Sequence, residues 1–72
     1  MNAALRLAGK AAIVVGAGTP VGGTSNGAAC AIAFARAGAR VLCADVSIDA
    51  AQETVRRIAA EGGDAAATTA DV

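Results

Sequence analysis

The chain has 72 residues, is 56% hydrophobic and carries no formal net charge at pH 7. That length allows one small domain at most, able to bury only about 60% of its unfolded surface, and the charge balance offers no basic footprint for nucleic acid or an anionic membrane. Phe34 is the only aromatic residue, Lys10 the only lysine, and histidine is absent, so most of the side chains that perform acid–base or nucleophilic catalysis are missing.

What remains is Cys30, Cys43 and six scattered acids. Both cysteines sit among small apolar residues, where core packing is the expected role. Neither has metal-ligand spacing, so no metal site and no catalytic residue are assigned, and the pattern suits a reduced, cytoplasmic protein. From Ala11 to Ala35 no residue is charged, long enough to raise the question of a membrane span. Five glycines, Pro20, Thr19, Thr24, Ser25 and Asn26 interrupt it, and such a stretch would leave backbone polar groups poorly satisfied in lipid. A soluble protein without a leader is the expectation.

In chain order, Ala11-Ala12-Ile13-Val14-Val15 is a continuous apolar run of the kind that forms a strand buried on both faces. A glycine-rich loop occupies Gly16 to Gly27. Ala28 to Ala37 then reads as a helix apolar almost all round, stopped by Gly38. Arg40 to Ala44 is a second buried strand, closed by Asp45. Ser47 can cap a helix beginning near Ile48, with Asp49 in its first turn. In that helix Ile48, Ala51, Val55, Ile58 and Ala59 share one face, and Glu53 and Arg57 pair at i,i+4 on the other. Gly62-Gly63 ends it, and Ala65 to Ala70 is a weaker third strand. The order β-α-β-α-β implies an α/β fold of parallel strands joined by right-handed crossovers, one half of a Rossmann-type sheet ending before a fourth strand.

Where a parallel strand meets a helix through glycines, backbone N–H groups and the helix dipole form an anion site. A flexible connection is the competing reading, but here an apolar strand precedes the loop, a helix follows it, and an acid closes the next strand. Asp45 lies eighteen residues beyond Gly27, close to the spacing of a carboxylate that hydrogen-bonds the adenosine ribose. Its alternative role is a turn residue or an N-terminal charge for the following helix. Gly18 to Ser25 also has nearly Walker A spacing, with Thr24 where the lysine belongs, and the strict GxGxxG pattern fails at Val21.

Taken together, these residues resemble the N-terminal part of the short-chain dehydrogenase/reductase family. The resemblance is carried by the lead-in Leu7-Ala8-Gly9-Lys10, the strand entering the glycine loop, and the helix residues Ala31 to Val41. It continues through Ala44-Asp45, Glu61-Gly62-Gly63-Asp64 and Ala70-Asp71-Val72. Val15 replaces the family's usual threonine, and the loop is five residues longer than usual, similar to a subset whose extended loop ends in Asn-Gly. Even against that subset, Val21 and Ser25 replace glycines. The resemblance implies that Gly16, Gly18 and Gly27 approach the diphosphate of NAD, Thr19 reaches the adenosine ribose, and Asn26 lies towards the nicotinamide. It further implies that Asp71 and Val72 border the adenine and that the parent is a homo-oligomer.

The family's catalytic serine and Tyr-x-x-x-Lys pair have no counterpart in residues 1–72. The expectation is therefore a single partial dinucleotide-binding domain from an NAD-dependent oxidoreductase of alcohols and carbonyls. A non-catalytic nucleotide-binding or interaction module, or a Walker-like phosphate binder, are the alternatives. Incubated with NAD and a common alcohol, residues 1–72 should form no NADH above background by cofactor absorbance. Turnover that is abolished by a substitution within the chain would contradict this.

Overall fold

The computed structural model describes residues 9–19 and 25–70. Asp71 and Val72 lie outside them, as does the segment 20–24 that contains Val21 and Thr24. The elements are β1 (Ala11–Val15), α1 (Asn26–Arg36), β2 (Arg40–Asp45), α2 (Ile48–Ala60) and β3 (Asp64–Thr69). All strand pairs are parallel, in the order β1-β2-β3, with Ile13 opposite Leu42 and Leu42 opposite Ala66. This is the partial Rossmann arrangement the alternation of elements predicts.

Local chemistry sets the helix limits. The Ser25 hydroxyl accepts from the Ala28 N–H at 3.0 Å and so caps α1. The helix thus takes in Asn26 and Gly27, two residues earlier than the apolar pattern suggests. Ser47 caps α2 in the same way through the Ala50 N–H. The two C-terminal ends match. Ala39 N–H donates to the Phe34 carbonyl and Gly38 N–H to Ala35, while Gly63 N–H donates to Ile58 and Gly62 N–H to Ala59. Each is a Schellman closure with glycine in the left-handed position. Arg36, the last residue of α1, and Glu61, the C-cap of α2, form a two-pronged ion pair at 2.7 and 2.8 Å that ties the two ends together at the surface.

Both helices cover the same face of the sheet. Ala31 from α1 and Ala51 and Ile58 from α2 join Ala17, Ala39, Val41 and Cys43 in one buried cluster, with Val14, Ile32, Ala35, Val55, Ala65 and Ala67 packed around it. The α2 face differs from the one its apolar residues outline. Thr54 is fully buried there, beside Ala51 and Ile58, whereas Ile48 and Ala59 are exposed. Glu53 reaches Arg56 at 2.6 Å and Arg57 at 3.7 Å.

Two further expectations are corrected. Cys30 is exposed, because the inward stripe of α1 is Ala28, Ala31, Ile32 and Ala35, and residue 30 falls on the opposite side; only Cys43 is in the core. Nor is β1 buried on both faces, since Ile13 is 71% and Val15 60% exposed. These side chains share the face opposite the helices, which no described element covers.

Among the described residues no strand pairs with the outer edge of β1. An apolar strand with a free edge and an open face templates association. The isolated chain should therefore self-associate, and Ile13→Lys with Val15→Lys should shift it towards monomer in sedimentation velocity. A wild-type chain that sediments as a monodisperse monomer would contradict this.

Candidate functional site

Of the residues singled out from the sequence, those that the structure describes lie at the C-terminal end of the strands, and Asp71 and Val72 fall outside it. Leaving β1, the chain turns at Gly16, whose φ is +74°. The N–H groups of Gly16 and Ala17 then both donate to the Ala44 carbonyl, at 2.8 and 3.1 Å. This lays the loop across the tip of β2, directly beside Asp45.

Asp45 holds it there. One carboxylate oxygen accepts from the Gly18 N–H at 2.9 Å, and the other accepts from the Ser47 N–H at 3.0 Å. These backbone donors, Ser47 first and then Gly18, hold the Asp45 carboxyl below the ordinary aspartate range. A side chain at Gly18 would displace this arrangement, because its Cβ would lie 2.6 Å from the carboxylate oxygen.

The first turn of α1 closes the other side. A Cβ at Gly27 would come within 2.6 Å of the Gly16 carbonyl carbon, so only glycine lets the helix start against the loop. Ser25 adds to the closure by donating to the Gly18 carbonyl at 2.8 Å. Among the described residues, nothing lies within 4 Å of a Cβ built at Gly16. Asn26 heads the helix and is exposed. Gly16, Gly18, Asn26, Gly27 and Asp45 are thus brought together around the loop.

Thr19 is placed differently from the others. It is 4% exposed, its N–H donates to the Ala50 carbonyl at 3.0 Å, and its hydroxyl meets that of Thr54 at 2.7 Å. It faces α2 rather than the open side of the loop. Ser25 and Thr54 are the two residues that sequence reasoning missed. For Ser25 the signal was present, a capping residue immediately before an alanine-rich run. Thr54 had only its spacing, three residues after Ala51 and four before Ile58.

Among the described residues, no His/Cys/Asp/Glu grouping could hold a metal ion, and no helix is long and apolar enough to cross a membrane. Burial pushes the Cys43 thiol up, away from the reactive thiolate.

No protein-family model matches the chain. It is 44% identical over 68 residues to 7alpha-hydroxysteroid dehydrogenase of Escherichia coli strain K12, a match that covers 94% of this chain and 25% of that protein. Among solved structures, a hydroxysteroid dehydrogenase from Escherichia coli superposes with a TM-score of 0.82 at 42% identity, over 99% of this chain and 28% of that one. A metagenomic short-chain oxidoreductase in complex with NADP gives a TM-score of 0.77 at 32% identity, over 92% of this chain and 28% of that one. Sequence and structure alike point to the short-chain dehydrogenase/reductase family. The chain spans about a quarter of the length of these relatives.

A pH prediction follows from Asp45. A carboxyl held below its unfolded value of about 3.9 contributes stability above that value and loses it as pH falls through the lower, folded value. Followed by NMR, the Gly18 amide and the Asp45 carboxyl carbon should titrate together with a midpoint below the ordinary aspartate value. A midpoint at or above it would show that the Gly18 contact does not hold the carboxylate in solution.

Proposed function

We propose that residues 1–72 form the NAD(H)-binding N-terminal part, within one dinucleotide-binding domain, of a cytoplasmic oxidoreductase that transfers hydride between an alcohol and a carbonyl. In this reading the chain binds the cofactor and leaves the proton chemistry to the remainder of a homo-oligomeric parent. The observation that carries it is the Asp45 carboxylate at the tip of β2, fixed against the glycine loop by the Gly18 N–H. Each of its oxygens uses one acceptor site on the backbone and keeps another, so both can still receive ribose hydroxyls.

Among the described residues nothing crowds Gly16, which leaves room for a diphosphate, and the first turn of α1 presents helix N–H groups and the positive end of its dipole. Gly16, Gly18 and Gly27 are assigned to the diphosphate, Asn26 to the nicotinamide side, and Asp71 and Val72 to the adenine; Thr19, expected to reach the adenosine ribose, has its hydroxyl turned to Thr54 instead and is not assigned to the ligand. When bound, the cofactor supplies the hydride acceptor or donor; these residues hold and orient it. Thr24 in place of the Walker lysine, and a Ser25 hydroxyl engaged by Gly18 and Ala28, favour this reading over an ATP–Mg²⁺ loop.

The relative in complex with NADP makes cofactor choice the sharpest test. A 2′-phosphate 4 Å from the Asp45 carboxylate would meet repulsion of roughly 4 kcal/mol per charge pair at an effective dielectric near 20. Val46, not arginine, follows Asp45. In parallel calorimetric titrations the chain should prefer NAD or ADP-ribose over NADP and over ATP–Mg²⁺. Asp45→Ala should weaken binding but narrow the NAD-to-NADP ratio. Equal affinity for NAD and NADP in the wild type would overturn the Asp45 assignment, and a preference for ATP–Mg²⁺ would overturn the dinucleotide reading.

A further inference from the structure

Thr54 is an unusual residue to find fully buried in the middle of a helix. Threonine is a poor helix former there, and its hydroxyl ordinarily bonds back to the carbonyl four residues earlier. In α2 that carbonyl, Ala50, lies 3.5 Å away, whereas the Ala17 carbonyl of the glycine loop lies at 2.6 Å. The single hydroxyl proton of Thr54 therefore goes to Ala17. Its oxygen is then the acceptor for the Thr19 hydroxyl at 2.7 Å. With the Thr19 N–H on the Ala50 carbonyl, the loop is tied to α2 on both sides of Gly18.

We infer that Thr54 is a positioning residue for the nucleotide loop, fastening Ala17 and Thr19 to α2 so that Gly18 and Gly16 stand ready for a diphosphate. This rests on the dinucleotide-binding reading above. Thr54 is too deeply buried to touch a ligand, and it acts by keeping the loop in one arrangement before the ligand arrives. Removing its hydroxyl leaves the Ala17 carbonyl and the Thr19 hydroxyl without their partner inside the fold. Apparent affinity falls by whatever fraction of the loop population leaves the competent arrangement.

The test compares Thr54→Val, nearly identical in shape, with Thr54→Ser, which keeps the hydroxyl, and with Ile58→Val, which weakens the same helix without touching the loop. The full chain is titrated with NAD and with ADP-ribose, and the exchange rate of the Gly18 amide is read against that of Cys43 in β2. Thr54→Val should bind about tenfold more weakly and should speed Gly18 exchange relative to Cys43. Thr54→Ser should stay within about twofold of wild type, and Ile58→Val should leave both readouts unchanged despite a lower Tm. Should Thr54→Val fail to fold, Thr19→Val replaces it; it removes one of the two ties and should give a smaller loss of the same kind. If wild type binds neither nucleotide, the dinucleotide reading fails, and the Gly18 amide alone still decides whether Thr54 fastens the loop. Unchanged Gly18 exchange in Thr54→Val, or an equal effect from Ile58→Val, overturns the inference.

Discussion

A chain that leaves one strand and crosses the tip of its neighbour must find partners for its backbone N–H groups within three residues. Gly16 and Ala17 solve this on the Ala44 carbonyl, and Gly18 solves it on the Asp45 carboxylate. Because Asp45 also accepts from Ser47, the entry to the glycine loop and the entry to α2 are fixed by one side chain. Ser25 then bonds the Gly18 carbonyl and caps α1. The starts of both helices and the end of β2 are therefore registered against each other through residues 16–19 of the loop. An unpaired backbone group there would cost about 1–3 kcal/mol, so the alternative arrangements are disfavoured one by one. That shared registration makes a ligand cradle possible at this end of the sheet.

The parts of this design that local chemistry encodes could be read from the amino-acid sequence. Asp45 was legible because its spacing from the glycines is short and its place at a strand end is marked by the apolar run before it. The helix stops at Gly38 and Gly62 were legible because a left-handed residue after a helix calls for glycine. Thr54 was not, since a hydroxyl among apolar neighbours looks like a solvent-facing residue. Its burial depends on Ala17, 37 positions away. The exposure of Ile13 and Val15 was hidden for a related reason: a strand's composition reports that it wants cover, not whether cover is present.

The sheet is consequently two-faced. Towards the helices it is closed by small side chains, with Ala31, Ala39, Val41, Cys43, Ala51 and Ile58 all at most 3% exposed. The opposite face carries Ile13, Val15 and Leu42 with no described element above them. Relatives of about four times this length share this arrangement of strands and helices over nearly the whole of the chain.

The helix–sheet interface also sets how the unit can vary. Ala28, Ala31 and Ala39 line the inner side of α1 and its exit, and alanine has no χ angle through which to yield. A leucine or isoleucine core absorbs an extra methylene by changing rotamer; an alanine seam has no such slack, and a larger residue must lift the whole helix as a lever. The far end of that lever is Gly27, seated against the Gly16 carbonyl. Changes on the inner stripe of α1 are thereby transmitted to the mouth of the loop, and the stripe is as much a part of the site's geometry as the glycines that face it.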